Sequence, residues 1–183
     1  IESVAHAAGY SVLVSQSNER WEEEKNIVKT MLAKKIDGLA ISLASETTDY
    51  KHFDAVISRG VPVVFFDRVP LDKRSSCVRI DNRTAAYNAV MHLIKQGCTR
   101  IVHLSGPQAI SVYKDRQDGY VQALMDSDIR VDSSLIFENS ITLATGEEAG
   151  KKILAMPVLP DAIFSAGDYS AMGVMHVLKK NGV

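Results

Sequence analysis

Short apolar runs in this chain end repeatedly on charged or polar residues, and amphipathic helical patterns separate most of these runs. Strands that alternate with helices form parallel sheets that are covered on both faces. In open sheets of this kind, ligands bind beyond the carboxyl ends of the strands, where these polar residues fall. The sequence therefore predicts an α/β fold with a small-molecule site. The four runs, 62–66, 78–80, 101–104 and 162–164, end at Asp67-Arg68, Asp81-Asn82, Ser105-Gly106-Pro107 and Gly167-Asp168.

The composition excludes several classes of protein. A hydrophobic fraction of 46% is enough for a folded core. The 21 basic and 22 acidic side chains nearly cancel and form no basic run, so this segment lacks the charge pattern of a nucleic-acid binder. No apolar stretch is long enough to cross a bilayer, and we expect no membrane partner. Cys77 and Cys98 do not have the spacing of a metal or redox pair, which favours a reducing cytoplasm.

Motifs of enzymes and metal sites are missing from the sequence. The five histidines are scattered without metal-ligand spacing. Neither Gly-x-Gly-x-x-Gly nor the phosphate-binding P-loop occurs. Ser105 lacks the surrounding pattern of a nucleophile elbow. The sequence therefore predicts no catalytic residue, no metal and no cofactor.

The residues at the strand ends are better candidates for a binding site. Asp67 and Asp81 offer acceptors, and Arg116 offers a planar fork of five donors, which suits vicinal hydroxyls, a carboxylate or a base edge. Each residue also has a structural interpretation. Asp67 and Arg68 could pair with each other or with the loop, Asp81 could be the N-cap of the next helix, and Arg116 could be a solvated residue in the first helical turn.

The alternation of strands and helices divides the chain into two candidate lobes. A buried strand is predicted at 10–14, a loop at 70–74 and a strong amphipathic helix at 84–96. Gly97 follows that helix, and the strand–helix alternation restarts at Ile101. We therefore predict an amino-terminal lobe at 1–97 and a carboxy-terminal lobe at 98–183. Because Ile1 already reads as the interior of a helix, we expect the chain to begin abruptly.

The sequence resembles the effector-binding core of the lac repressor/galactose repressor (LacI/GalR) family of bacterial transcription regulators. Individual segments are short, but their order and separations match the family through most of the chain. The matching segments include 1–10, 37–39, 60–64, Asp67-Arg68, 78–82, 92–97, Gly106-Pro107, 116–120 and 160–168.

The resemblance implies an architecture and a mode of action. Family members have two Rossmann-like parallel-sheet lobes, of the type I periplasmic-binding-protein kind, around an effector cleft. They are cytoplasmic homodimers that bind operator DNA through a helix-turn-helix headpiece. This chain contains neither that headpiece nor the first and last strands of the core, so we expect it to be a piece of a repressor-type regulator. A sugar or sugar derivative is the effector that the family suggests.

The resemblance also assigns roles to individual residues. Asp67, Arg68, Asp81 and Arg116 match positions that line the effector cleft, and Arg116 matches the arginine that opens the helix after the Gly-Pro loop. Gly167 stands where sugar-binding members often have Asn, and Ile141 where an aromatic ring stacks on the effector. The helix predicted at 169–180 lies near the dimer seam of relatives. Met172 and Met175 share one face of it, so they are expected either at a dimer interface or in the core.

Two other functions remain open on the sequence alone. A periplasmic sugar-binding protein of a transport system shares the two-lobed fold. An enzyme on the same fold is the third class, and it is disfavoured because no nucleophile and general base come together.

Overall fold

The computed structural model describes residues 1–70 and 75–183, which divide into two compact units, Ile1–Val78 and Arg79–Val183. Each unit contains a three-stranded sheet in which every strand pairing is parallel. The prediction of an α/β fold built from two parallel-sheet lobes is therefore confirmed. The loop predicted at 70–74 lies, apart from Pro70, outside the described residues.

The first unit places its sheet in the order β1-β2-β3. Leu39 pairs with Val63 and Val64 with Ser76, so β2 is the central strand. The strands are β1 (Leu39–Ile41), β2 (Val63–Phe66) and β3 (Ser76–Val78); the helices are α1 (Glu2–Ala7), α2 (Trp21–Ala33) and α3 (Asp54–Ser58), the last preceded by a 3₁₀ turn at Lys51–Phe53.

The core of the first unit forms between the central strand and the apolar face of α2. Val63 and Phe65 alternate along β2 and are buried, as expected for side chains on one face of a strand. Val28 contributes from α2, and Phe53 meets Phe65 edge to face with their ring centroids 5.1 Å apart. Through these contacts α2 packs on one face of the sheet.

The buried strand predicted at 10–14 is wrong. Tyr10, Leu13 and Val14 are exposed, and no strand forms there. A strand needs a hydrogen-bonded neighbour, and within residues 1–70 and 75–183 none pairs with this segment. Its apolar run satisfies the local pattern of a strand but not the pairing that a sheet requires.

The second unit repeats the arrangement with the order β5-β4-β6. The central strand is buried along its whole length, which matches its near-continuous apolar sequence. The strands are β4 (Ile101–Leu104), β5 (Ile136–Phe137) and β6 (Ala162–Ser165); the helices are α4 (Asn82–Lys95), α5 (Ser111–Asp126), α6 (Leu143–Leu154) and α7 (Asp168–Lys180).

The helices of the second unit pack in two close pairs, α4 with α5 and α6 with α7. Glycines allow this approach. A Cβ atom on Gly119 of α5 would overlap the carbonyl oxygen of Arg83, and one on Gly173 of α7 would overlap the carbonyl oxygen of Leu143. Because α4 packs against α5, it belongs to the second unit. The predicted lobe boundary at Gly97 stays a prediction.

Candidate functional site

The guanidinium group of Arg116 joins three segments of the second unit. Its Nε donates a hydrogen bond of 2.9 Å to Oδ1 of Asn82, at the start of α4. Its Nη1 donates to the carbonyl oxygen of Ala166, between β6 and α7. The Arg116 side chain is therefore fixed at the carboxyl end of β6, and it is not a freely solvated residue.

Asn82 is held in one orientation by its own surroundings. It is 3% exposed, and its backbone N–H donates to the carbonyl oxygen of Ile80 over 3.0 Å. Its side-chain Nδ2 lies 3.5 Å from the same oxygen, while Oδ1 faces Arg116. A flipped amide would place its N–H donors against the guanidinium donors, so the two contacts together determine the orientation.

Asp81 is the N-cap of α4. Its carboxylate accepts from the backbone N–H of Thr84 over 3.0 Å and from the Thr84 hydroxyl over 2.8 Å. These bonds, the backbone one first, lower the pKa of the Asp81 carboxyl. The N-cap interpretation is thus confirmed, and a role for Asp81 in effector binding stays a prediction.

A cavity of about 200 Å³ opens beside Arg116. Its walls come from the segment that enters α4, from α5 and from the carboxyl end of β6. One cationic side chain and no acidic side chain lines it. The lining residues are Ile80, Asn82, Ala85, Ala86, Arg116, Phe164 and Ser165.

A buried polar network fixes the loop that precedes α5. The Ser105 hydroxyl is buried at the end of β4, donates to Gln117 Oε1 over 2.8 Å and accepts from Gln108 Nε2 over 2.9 Å. Gln117 is the neighbour of Arg116 in the second turn of α5, so the network ties that turn and the preceding loop to the central strand. Ser105 therefore has a structural role in this unit.

Asp67 and Arg68 lie in the first unit, immediately after β2. Asp67 adopts a φ of 57°, a left-handed conformation that Asp tolerates better than most residues, and its N–H donates to the carbonyl oxygen of Val78 over 3.1 Å. Arg68 forms an ion pair with Glu19. Their predicted roles in effector binding stay predictions.

Gly167 and Ile141 are two of the positions at which the resemblance predicts a departure from sugar-binding members of the family. Gly167 is the N-cap of α7, in an extended conformation, and a Cβ atom there would meet no atom of the described residues within 4 Å. Asp168 is the first helical residue of α7. Ile141 is half-buried and does not belong to the cavity lining described above.

The face of α7 that carries Met172 and Met175 is exposed. Their exposed fractions are 58% and 52%, whereas Gly173 and Val174 are buried on the face toward α6. The alternative that the two methionines belong to the core is therefore wrong. Their role at a dimer interface stays a prediction.

Sequence reasoning did not identify Asn82, Phe164 or Ser165 as parts of the site. Asn82 follows Asp81 at a strand end, which was the one available signal.

Within residues 1–70 and 75–183, no group of three or more His, Cys, Asp or Glu side chains is placed to hold a metal ion. In the same residues, no helix combines the length and the apolar character that crossing a membrane requires.

Known sequences match this chain over its whole length. The family profile described as periplasmic binding proteins and sugar binding domain of LacI family matches residues 1–183. The HTH-type transcriptional repressor CytR of Escherichia coli (strain K12) is 33% identical over 186 residues, which covers 100% of this chain and 53% of the repressor. Catabolite control protein A of Priestia megaterium is 31% identical over 184 residues, covering 100% of this chain and 55% of that protein.

Solved structures agree with the sequence comparison. The transcription regulator CcpA of Lactococcus lactis superimposes with a TM-score of 0.88 and 25% identity, over 99% of this chain and 65% of that chain. A complex of the transcriptional regulator CelR with cellobiose has a TM-score of 0.85 and 27% identity, over 98% of this chain and 55% of that chain. The present chain spans about half the length of the curated relatives it matches.

Proposed function

Because this chain belongs to the family of periplasmic binding proteins and LacI-type sugar-binding domains, we propose that it is the effector-binding core of a repressor-type transcription regulator. The observation that carries the proposal is Arg116, a fixed guanidinium that lines a cavity at the carboxyl end of a parallel sheet. Similarity to CytR and to catabolite control protein A over the whole chain supports it.

The proposed effector is a small polar metabolite, a sugar or a sugar derivative. Arg116 is its main contact, and Asp67, Arg68, Asp81, Ile141 and Gly167 are further candidate contacts. The cellobiose complex of the structural relative supports a sugar-like ligand. The open space at Gly167 leaves room for a ligand group where relatives often carry an Asn side chain.

The proposed regulation couples effector binding to operator DNA. A headpiece outside this chain contacts the operator, and effector binding to the core changes how well a cytoplasmic homodimer holds that operator. A ligand shifts such an equilibrium only by its differential affinity for the two states. Exposed Met172 and Met175 on α7 are the proposed contribution of this chain to the dimer interface.

A periplasmic sugar-binding protein is the second candidate function, since it shares the family and the fold. This chain matches relatives named as transcriptional repressors over its whole length. These matches favour a transcription regulator over a periplasmic binding protein. The same relatives favour a binding function over an enzyme.

The experiment is a thermal-shift screen of sugars, sugar phosphates and nucleobases on the complete protein that contains this chain, followed by operator-binding measurements with each ligand that binds. A ligand at a hundred times its Kd adds about 2.7 kcal/mol to stability. We expect at least one ligand that raises the melting temperature and changes operator affinity. A ligand that raises the melting temperature of a protein without DNA affinity would support the periplasmic candidate instead.

A further inference from the structure

The hydrogen-bond partners of Arg116 are all neutral. Nε bonds to the side-chain amide of Asn82 and Nη1 to the backbone carbonyl of Ala166. No carboxylate of the described residues lies within 4.0 Å of its guanidinium, whereas Arg68 has Glu19 and Arg79 has Asp115. The cation that lines the cavity is therefore positioned without being neutralised.

From this arrangement we infer that the effector presents an anionic oxygen group, a carboxylate or a phosphate, to Arg116, and that Asn82 is the positioning residue that holds the guanidinium for it. The inference rests on the proposed function, because it concerns the ligand of the same site. A neutral amide satisfies a guanidinium N–H but leaves its charge available, whereas an aspartate in that place would compensate the charge. An asparagine partner therefore suits an acidic ligand.

The donors that remain on Arg116 suit such a ligand. Nη2 has no hydrogen-bond partner within the described part of the second unit. The cavity beside it is lined mainly by apolar groups, among them Ile80, Ala85 and Phe164. A charge-assisted bond in an apolar surround is stronger than one in water. A carboxylate or phosphate oxygen would supply both an acceptor and the missing negative charge, and a sugar hydroxyl supplies only the acceptor.

Asn82 is suited to positioning by its burial and its fixed orientation. Because Nδ2 faces the carbonyl oxygen of Ile80, Oδ1 is presented to Nε of Arg116. Asn82 thereby accepts the hydrogen bond from Nε, and Nη2 of the guanidinium remains available to the ligand. Loss of this contact would let the guanidinium rotate and would weaken ligand binding without removing the charge.

The test is isothermal titration calorimetry on the complete protein with matched neutral and acidic probes. The pairs are fructose with fructose 1-phosphate, glucose with glucose 6-phosphate and glucose with glucuronate; inorganic phosphate alone is the minimal probe. The variants are Asn82→Asp, which keeps the shape and the acceptor but adds a negative charge, and Asn82→Leu, which removes the acceptor. Asn88→Asp, on the exposed face of the same helix, adds the same charge away from the cavity.

We expect the wild type to bind the acidic member of at least one pair tenfold or more tightly than its neutral partner. Asn82→Asp should abolish that preference, Asn82→Leu should weaken binding of the acidic member about tenfold, and Asn88→Asp should change neither. If Asn82→Leu does not fold, Asn82→Asp decides the role of Asn82. Neutral members that bind as tightly as acidic ones, or acidic members and phosphate that fail to bind, would overturn the inference.

The same titrations separate this inference from the proposed function. A neutral sugar that binds the wild type but not Arg116→Lys would preserve the effector site and refute only the acidic ligand. A ligand that binds wild type and Arg116→Lys equally would refute the site itself.

Discussion

Arg68 and Glu19 form a two-armed ion pair in the first unit, with Nη1 2.5 Å from Oε2 and Nη2 2.7 Å from Oε1. Glu19 also accepts from the N–H of Ser45 over 2.8 Å, and the carbonyl oxygen of Arg68 accepts from the N–H of Leu43 over 3.1 Å. The pair therefore links the segments that follow β1 and β2 to the residues just before α2. The bond from Arg68 is the main reason that the pKa of the Glu19 carboxyl lies below its usual value.

Arg68→Lys should reduce the stability of the complete protein by about 0.2–1 kcal/mol, because lysine keeps the charge but loses the two-pronged geometry at a half-exposed partner. Since the folded-state pKa of Glu19 is lowered, the pair contributes above pH 4.5 and its contribution disappears as the pH falls through the folded value. Urea unfolding at pH 7 and pH 3 measures this. Arg59→Lys at an exposed position is the control, and a wild-type and Arg68→Lys difference of zero at pH 7 would contradict the prediction.

Gly173→Ala should destabilise the second unit by about 1–3 kcal/mol, since the new Cβ atom would overlap Leu143 O and approach the backbone nitrogen of Glu147 to 2.8 Å. The matched control is Gly38→Ala, where the nearest atoms, both of Pro62, would lie at an ordinary 3.6 Å. The free energy of unfolding in urea compares the two variants. Equal stabilities for both would mean that α6 and α7 do not approach as closely as described.

His103 should make the protein sensitive to acid. It is fully buried between Tyr120 and Phe164, and the centroid of each of their rings lies 4.9 Å from the centroid of the imidazole. Burial lowers the pKa of His103 to about 4. Below pH 6.5 the unfolded chain takes up a proton at this histidine that the folded chain takes up only near pH 4. The stability should therefore fall by about 3 kcal/mol between those values.

His103→Phe keeps a ring in the stack and removes the titration. Urea unfolding at several pH values should show a shallower loss of stability between pH 6.5 and pH 4 for this variant than for the wild type. His92→Gln, at an exposed histidine, is the control for the loss of an imidazole. Parallel curves for wild type and His103→Phe would rule out the buried neutral histidine as the source.

The double variant Met172→Glu/Met175→Glu should shift the complete protein from dimer towards monomer, because it places two charges in a surface that we propose to be apolar and buried on dimerisation. Sedimentation equilibrium measures the association constant. Met125→Glu, at a methionine of α5 with 59% exposure, is the matched control. An association constant that the α7 variant leaves unchanged would remove this face from the proposed interface.

The fold could be predicted because its signals are local. Apolar runs that alternate with amphipathic helices identified the parallel sheets of two lobes and the helices α4 and α7. The segment 10–14 shows the limit of that reasoning. Its residues have the composition of a strand, but a strand exists only through pairing with another segment, which no local pattern reports.

The site could be predicted only in part for the same reason. Arg116 was identified by its place after the Gly-Pro loop, and the structure puts it at a cavity. Its partner Asn82 lies 34 residues away in sequence, so the hydrogen bond that fixes the guanidinium is a product of the packing of α4 against α5. Asp81 gave the stronger sequence signal, yet its carboxylate is engaged in capping α4.

The role of Arg116 is tested most directly by calorimetric titration of the effector found in the screen into the complete wild-type protein and its Arg116→Lys variant. Lysine keeps the charge but cannot bond Asn82 and Ala166 while presenting a further pair of donors. We expect effector affinity to fall ten- to a hundredfold, as the loss of one charge-assisted contact of about 1.5–3 kcal/mol requires, while operator affinity without effector is retained. Equal effector affinities for the two proteins would contradict the account, because Arg116 would then serve the packing of its own unit alone.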